Sequence, residues 1–359
     1  MSGAKRATFA VPACVLLLVG VWLSGLFSPE LEHAWTGNGT EMVISVQLHP
    51  PQPNQHHLSS SIQEALSPPN LKPKFGLTSW PRVFLLGVQK AGTSSLSTVL
   101  LQHPQICGGI HSQRYDGEGN LRAAKEQHFF GVSGVGHGKA YLRRYAANPD
   151  CQVLERVDTP VFGFDGTPSM ICDQQAQKQM KKLIPAEIHD ELRFIVVLRE
   201  PVARDLAWHN HRRFRGFLHP NTTTYKEVVE KTLSTKPGAV CGNLAWRGMY
   251  AAQLRAFWKR FKRRQTLILN FDTLLTNTSD TLRRIANFLN IDFQPWDNAS
   301  LPQNGEFANK LPQSSVREEC KSLRAFFRKH NRDLYALLQR KGSPRQQPPF
   351  PPFRNPCVA

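Results

Sequence analysis

The apolar positions of the chain fall into short unbroken runs and helical stripes, separated by polar segments marked with glycine and proline. Val83–Leu86 is one such run, closed by Gly87, and Arg193–Leu198 carries a second. Both have the length and continuity of strands buried on two faces. Thr266–Leu269 reads as a third. Each run is followed by helical spacing. Leu96, Val99 and Leu100 continue the first as far as Pro104, and Leu282, Ile285, Ala286 and Leu289 follow the third. The second leads into a helix from Pro201, a residue suited to the first helical turn. Two further stripes read as core faces rather than ligand boxes. One is Leu254, Phe257, Trp258 and Phe261 within a helix from Ala245 to Phe261; the other is Leu323, Phe326, Phe327, Leu334, Leu337 and Leu338. Gly108–Glu126, rich in glycine and charge, reads as a loop. This alternation predicts an α/β fold, a single domain with a central parallel sheet flanked by helices.

The segments outside that domain have a different pattern. Thr8–Phe27 is charge-free and mostly apolar, long enough to cross a bilayer. Lys5 and Arg6 precede it and Glu30 and Glu32 follow, so the positive-inside tendency leaves the short tail cytosolic. A transmembrane signal anchor over 8–27 is expected after a cytosolic tail at 1–7, with a cleaved signal peptide as the alternative. Residues 28–79 are polar and dotted with proline and read as a luminal stem. The domain then occupies 80–342, and residues 343–359 form an irregular, proline-rich tail.

Charge narrows the class of partner. Lys plus Arg number 45 against 27 Asp plus Glu, a net charge of +18 that favours polyanions. With no zinc-finger spacing or RNA-binding aromatic signature, and with an anchored N-terminus, an acidic polysaccharide is expected rather than nucleic acid. Four N-glycosylation patterns, at Asn38, Asn221, Asn277 and Asn298, agree with a luminal domain. So do six cysteines beyond the apolar segment, an even number that permits disulfides. A bridge between Cys151 and Cys172, closing the loop around Val161–Pro168, is the pairing expected. No Cys-x-x-Cys or His-x-x-x-His pair is present, so no metal is expected.

Chemistry concentrates after the first strand, in Gly87-Val88-Gln89-Lys90-Ala91-Gly92-Thr93-Ser94-Ser95. A strand, a tight glycine turn and a helix start together aim backbone N–H groups and a helix dipole at an anion, and Lys90 adds a full charge. The spacing is not that of a Walker loop, because the lysine precedes the second glycine. Arg199, in Leu198-Arg199-Glu200-Pro201-Val202-Ala203-Arg204, follows the second strand at the carboxyl end of the sheet, where such sheets hold ligands. A surface pair with Glu200 or Asp205 is the plainer reading of Arg199. Together, the two turns fit a nucleotide with two separated anionic groups.

Gly-x-x-Lys-x-Gly-Thr-Ser resembles the phosphosulfate-binding loop of sulfotransferases that use 3′-phosphoadenosine 5′-phosphosulfate (PAPS). Arg-x-Pro-Val-x-Arg resembles their 3′-phosphate element. Lys125–Phe130, the helix Gly248-Met249-Tyr250 to Trp258, and Phe327–Leu334 are similar in turn to segments of the Golgi enzymes of glycosaminoglycans. These include the heparan sulfotransferases and the chondroitin N-acetylgalactosamine 4-sulfate 6-O-sulfotransferase. The resemblance implies a P-loop-like α/β fold and a type II protein of the Golgi membrane with its catalytic domain in the lumen. Its reaction would be sulfuryl transfer from PAPS to a carbohydrate hydroxyl. Two positions depart from the family pattern: Ala207 stands where a serine is usual, and Asp165-Gly166-Thr167-Pro168 replaces a lysine-bearing motif.

On this resemblance Lys90, Ala91, Gly92, Thr93, Ser94, Ser95 and Arg199 bind the cofactor. Lys90 also offsets charge on the leaving group, Glu126 is the general base, and His128 is the alternative base or an acceptor-orienting group. The second departure leans away from the heparan 3-O type; chondroitin or dermatan N-acetylgalactosamine is the acceptor expected, with heparan sulfate O-sulfation as the alternative. Two other classes stay open: a catalytically weakened polyanion-binding protein of the same fold, and a luminal nucleotide kinase, whose Walker spacing is not seen.

Overall fold

The computed structural model describes residues 8–9, 30–35, 42–47, 80–115, 121–123, 126–130, 138–146, 148, 151, 162–218, 224–235, 241, 245–302, 311, 313–339 and 350–357. The chain divides into two compact units, 1–73 and 74–359.

In the first unit, β1 (Thr8–Phe9), β2 (Glu30–Trp35) and β3 (Met42–Gln47) form an antiparallel sheet in the order β1-β3-β2. The segment expected to be irregular stem therefore carries two paired strands, with Glu30 opposite Gln47 and Trp35 opposite Met42. The β-branched residues Val43, Ile44 and Val46 favour extended backbone there, despite the prolines nearby. Of the expected anchor only Thr8–Phe9 is described, as strand, and residues 10–27 lie outside the described residues. No described helix is long and apolar enough to cross a membrane.

The second unit is built on a five-stranded parallel sheet. Its strands are β4 (Val83–Gly87), β5 (Ile106–Gly108), β8 (Phe162–Asp165), β9 (Arg193–Leu198) and β10 (Thr266–Asn270), in the order β10-β9-β4-β8-β5. The three apolar runs of the sequence are the three strands at one side of this sheet. Val83–Leu86, Phe194–Leu198 and Leu267–Leu269 are all buried, as strands covered on both faces require. The glycine-rich stretch expected as a loop contains an antiparallel pair, β6 (Ile110–Tyr115) with β7 (Leu121–Ala123).

Helices cover the sheet. They are α1 (Thr93–Leu100), α2 (Gly138–Ala146), α3 (Gln174–Leu183), α4 (Pro201–Phe214), α5 (Tyr225–Ser234), α6 (Tyr250–Trp258), α7 (Phe271–Thr276), α8 (Thr278–Leu289) and α9 (Arg317–Gln339). The helix expected from Ala245 to Phe261 is shorter, a 3₁₀ turn at Ala245–Gly248 followed by α6. Phe257 and Phe261 from its stripe close on Phe194 of β9, with ring centroids 4.9 and 4.7 Å away. A second apolar cluster joins α4, α5 and α9 through Val202, Tyr225, Val229, Leu323 and Phe327.

Three disulfides form, and they correct the expected Cys151–Cys172 pairing: Cys107–Cys151, Cys172–Cys241 and Cys320–Cys357. The reason is β8, which lies between the two cysteines. Cys151 sits beside Gly108 at the end of β5, whereas the turn carrying Cys172 crosses to β4, where the Ile171 N–H donates to the Leu86 carbonyl at 3.1 Å. The last bridge ties the irregular tail to α9. Residues 350–357 have no regular structure, yet the Phe353 N–H donates to the Tyr335 hydroxyl at 2.8 Å and its ring packs against Tyr250.

Gly248 joins these layers. A Cβ there would lie 2.7 Å from Pro201 Cβ and 2.8 Å from the Phe327 ring, so neither α4 nor α9 leaves room for it. Gly248→Ala should lower stability by roughly 1–3 kcal/mol through overpacking. The shift would be read as a fall in the denaturant midpoint at unchanged m-value.

Candidate active site

The carboxyl ends of β4, β9 and β10 converge on one place, as open parallel sheets arrange their ligand sites. From β4 the chain enters the Val88–Gly92 turn, in which Lys90 and Gly92 both have left-handed backbone, φ 71° and 73°. For Gly92 that conformation is easy, and the lack of a side chain also admits Phe271, since a Cβ would lie 3.0 Å from its ring. Gly92 is the N-cap of α1 and has no side chain to accept from the first turn, which carries no acidic residue either. Thr93 and Ser95 are buried, and the Ser95 hydroxyl donates to the Pro302 carbonyl at 2.7 Å.

Arg199 leaves the end of β9 and bridges to this turn. Its Nη1 donates to the Lys90 carbonyl oxygen at 2.9 Å, and its guanidinium stacks 4.6 Å above the Phe271 ring at the end of β10. The Tyr250 hydroxyl donates to the Arg199 carbonyl at 2.7 Å. Burial lowers the pKa of Arg199, opposed by Tyr250, Asp272 and Glu200. The plainer reading, an ion pair with Glu200 or Asp205, is not what forms. Asp205 pairs with Arg204 at 2.9 Å, and the Glu200 carboxylate caps α4 by accepting from the Ala203 N–H at 2.8 Å. No described carboxylate forms an ion pair with Arg199. A half-buried guanidinium without a paired anion is left partly desolvated, and this one fits a ligand that brings the anion.

Glu126 and His128 come from a separate segment, and the structure pairs them: Oε2 of Glu126 is 2.9 Å from Nε2 of His128. Asp165 and Thr167, at the end of β8, hold their backbone. The Thr167 hydroxyl accepts from the N–H groups of Gln127 and His128, both at 3.1 Å, and donates to Asp165 Oδ1 at 2.6 Å. Arg144 of α2 donates to the Gln127 carbonyl at 2.6 Å, and the Phe129 ring stacks on Tyr141 at 4.4 Å. This strap keeps His128 at φ 47°, an uncommon conformation for a residue with a side chain. The Glu126 side chain is mostly covered and that of His128 mostly exposed. Asp165, the first residue of the Asp165-Gly166-Thr167-Pro168 departure, is fully buried and accepts from Tyr141 and Thr167. Its role is to hold the strap.

His211 of α4 connects the two halves. Burial, then the charges of Lys90 and Arg215, lower its pKa to about 4, while Glu126 pulls the other way. Lys90 and Glu126 thus both act on one imidazole. Its ring stacks on Trp208 at 5.6 Å, and Trp208 lies 5.0 Å beneath the Arg247 guanidinium. Arg247 donates in turn to Gln89 Oε1 in the lysine turn and to the Cys241 carbonyl. Arg247 escaped the sequence reading because no local motif marks it; its partners come from distant segments. Ala207, the departure from the usual serine, precedes Trp208 on the same helix.

A sulfotransferase-domain profile matches residues 81–331, and the chain belongs to that family. Among curated relatives, it is 23% identical over 292 residues to a bifunctional heparan sulfate N-deacetylase/N-sulfotransferase of Drosophila melanogaster, covering 74% of this chain and 26% of that protein. It is 20% identical over 284 residues to the heparan sulfate glucosamine 3-O-sulfotransferase 3B1 of Mus musculus, covering 74% of this chain and 65% of the relative. The chain therefore spans about a quarter of the first relative's length and just under two thirds of the second's. Among solved structures, a sulfotransferase from Alicyclobacillus acidocaldarius superimposes with a TM-score of 0.49 at 21% identity, over 73% of this chain and 97% of the other.

Glu200 offers a test of the site's electrostatics. Burial pushes its pKa up from 4.5 to about 7 despite the Ala203 and Val202 N–H groups and Arg199. The folded state therefore holds this proton more tightly than the unfolded chain. The resulting stability is fully present below pH 4.5 and is lost as pH rises through about 7. Glu200→Gln should leave the melting temperature near that of the parent at pH 4.5 and raise it at pH 8. The difference should approach about 3 kcal/mol, read by melts across that window.

Proposed function

We propose that the chain transfers a sulfuryl group from PAPS to a glycosaminoglycan of the heparan sulfate type. The observation that carries this reading is Arg199: a half-buried guanidinium with no paired carboxylate among the described residues, hydrogen-bonded to the backbone of the Lys90 turn. Two cationic turns, locked together at the end of a parallel sheet, suit a nucleotide with two separate phosphate groups. The relatives above are named for heparan sulfate. That favours the heparan alternative over the chondroitin or dermatan N-acetylgalactosamine acceptor that the sequence put first.

PAPS supplies the activated sulfuryl group and a stable nucleotide leaving group. The chain's own residues position and neutralise. The backbone of Ala91 to Ser95 and the hydroxyls of Thr93 and Ser94 cradle the 5′-phosphate, and Arg199 grips the 3′-phosphate. Ser95, its hydroxyl given to the Pro302 carbonyl, contributes only its backbone N–H. Lys90 faces the bridging oxygen and offsets the charge that develops there. Glu126 takes the proton of the attacking acceptor, and His128, 2.9 Å from it, orients the carboxylate and meets the sugar from its exposed side. His211, held neutral by burial and by the charges of Lys90 and Arg215, adds no further positive charge to the lysine turn.

The same reading places the protein in the Golgi membrane as a single-pass type II protein, with its catalytic domain in the lumen and its N-terminal apolar segment as anchor. Three disulfides suit an oxidising compartment. Of the glycosylation patterns, those at Asn38 and Asn221 lie outside the described residues. Asn277 and Asn298 are exposed, and Asn277 also caps α8.

Arg199→Ala should weaken binding of the product nucleotide, 3′-phosphoadenosine 5′-phosphate (PAP), by roughly 2–5 kcal/mol in calorimetric titration. Unchanged affinity would remove the proposed 3′-phosphate site. Lys90→Ala should abolish transfer of labelled sulfate to heparan chains while the protein stays folded.

Glu126→Gln should lower transfer by roughly 10²–10⁴-fold with PAP affinity unchanged, and His128→Ala should be milder. The opposite ranking would make histidine the base.

A further inference from the structure

The carboxyl-terminal end of α4 carries a basic and aromatic tip that the nucleotide chemistry does not use. From Leu206 to Leu218 the chain has no acidic residue and includes Arg212, Arg213 and Arg215. Phe214 and Phe217 are 57% and 65% exposed, the two most exposed of the large apolar side chains among the described residues. Large aromatics that stand in water together mark contact surfaces more often than accidents of packing.

The backbone under them is well ordered. Gly216 has φ 69°, its N–H donates to the Arg213 carbonyl at 3.1 Å, and the Phe217 N–H reaches the Arg212 carbonyl at 2.8 Å. That pair of bonds is a Schellman ending. An apolar residue in the position of Phe217 ordinarily packs back onto the third residue from the helix end. Here that residue is Arg212, and Phe217 turns outward instead. The tip therefore presents its rings from a fixed turn and loses little freedom when they are covered. It also follows directly on His211, whose ring stacks on Trp208 beneath Arg247, the residue that donates to Gln89 in the lysine turn.

We propose that this tip, Phe214 and Phe217 with Arg212 and Arg215, is a docking surface for the acidic polysaccharide, engaging the chain outside the residue that receives the sulfuryl group. The proposal rests on the reading of an acidic glycan as acceptor. The rings cover the apolar faces of pyranose units, and the guanidiniums pair with uronate and sulfate groups. The occupant follows from charge complementarity: an all-basic patch with exposed aromatics fits a polymer that alternates apolar sugar faces with anionic substituents.

The test uses the full chain and heparan sulfate polymer as the probe, with binding measured by calorimetry at fixed salt and PAP affinity measured alongside. Phe214→Ser combined with Phe217→Ser should weaken polymer binding about tenfold and leave PAP affinity unchanged. Arg215→Gln should flatten the dependence of polymer binding on salt. Leu233→Ser, at another exposed apolar position 43% accessible on α5, should change neither. Unaltered polymer affinity in the double variant, or an equal loss in Leu233→Ser, would overturn the docking surface. A parent chain that binds polymer through the tip but does not bind PAP would refute the transferase reading and leave the surface standing.

Discussion

The hydrogen bond from Arg199 to the Lys90 carbonyl is the contact on which the site depends. It joins turns that leave two different strands, β4 and β9, and it fixes their spacing through one rigid planar group. Phe271, at the end of β10, supports both partners: its ring lies under the guanidinium and against the bare face of Gly92. Three strand ends thus meet on one arginine. The register between β9 and β10, from Thr266 opposite Phe194 to Asn270 opposite Leu198, sets where they meet.

The opposite half of the site is arranged by hydrogen bonds rather than by charge. Thr167 accepts two successive backbone N–H groups and donates to Asp165, which burial pushes toward its protonated form while those hydrogen bonds oppose the change. Such a buried network is costly if any member is missing, because each polar group would be left without a partner. That cost explains how a left-handed His128 is tolerated beside Glu126. The Asp-Gly-Thr-Pro departure from the heparan pattern is, in this protein, a structural strap. As an argument about the acceptor it loses weight.

What the sequence disclosed follows from how local each signal is. β4, β9 and β10 are continuous apolar runs and were legible, as were the helix stripes of Leu282–Leu289 and Leu323–Leu338. Strands β5 and β8 were not: Ile106–Gly108 is three residues long, and Phe162–Asp165 carries a glycine and an aspartate. Lys90 and Arg199 could be nominated from glycine, lysine and arginine spacing alone. The strap could not, since Thr167 and Gln127 are 40 residues apart and meet only through the sheet. Nor could the cysteine pairing, because sequence proximity hides the strand between Cys151 and Cys172.

The strand order has a consequence for how the molecule comes to be. β4 is followed in the chain by β5, yet its neighbours in the sheet are β8 and β9. A nascent β4 therefore has no local strand to pair with and waits for segments made much later, while β5 must leave a one-strand gap for β8. Parallel pairing over such separations delays the reward for closing each loop. The three strand ends that meet at the Lys90 and Arg199 turns are the product of those pairings. The site is complete only once those strands are paired, so a ligand that binds it stabilises the folded state.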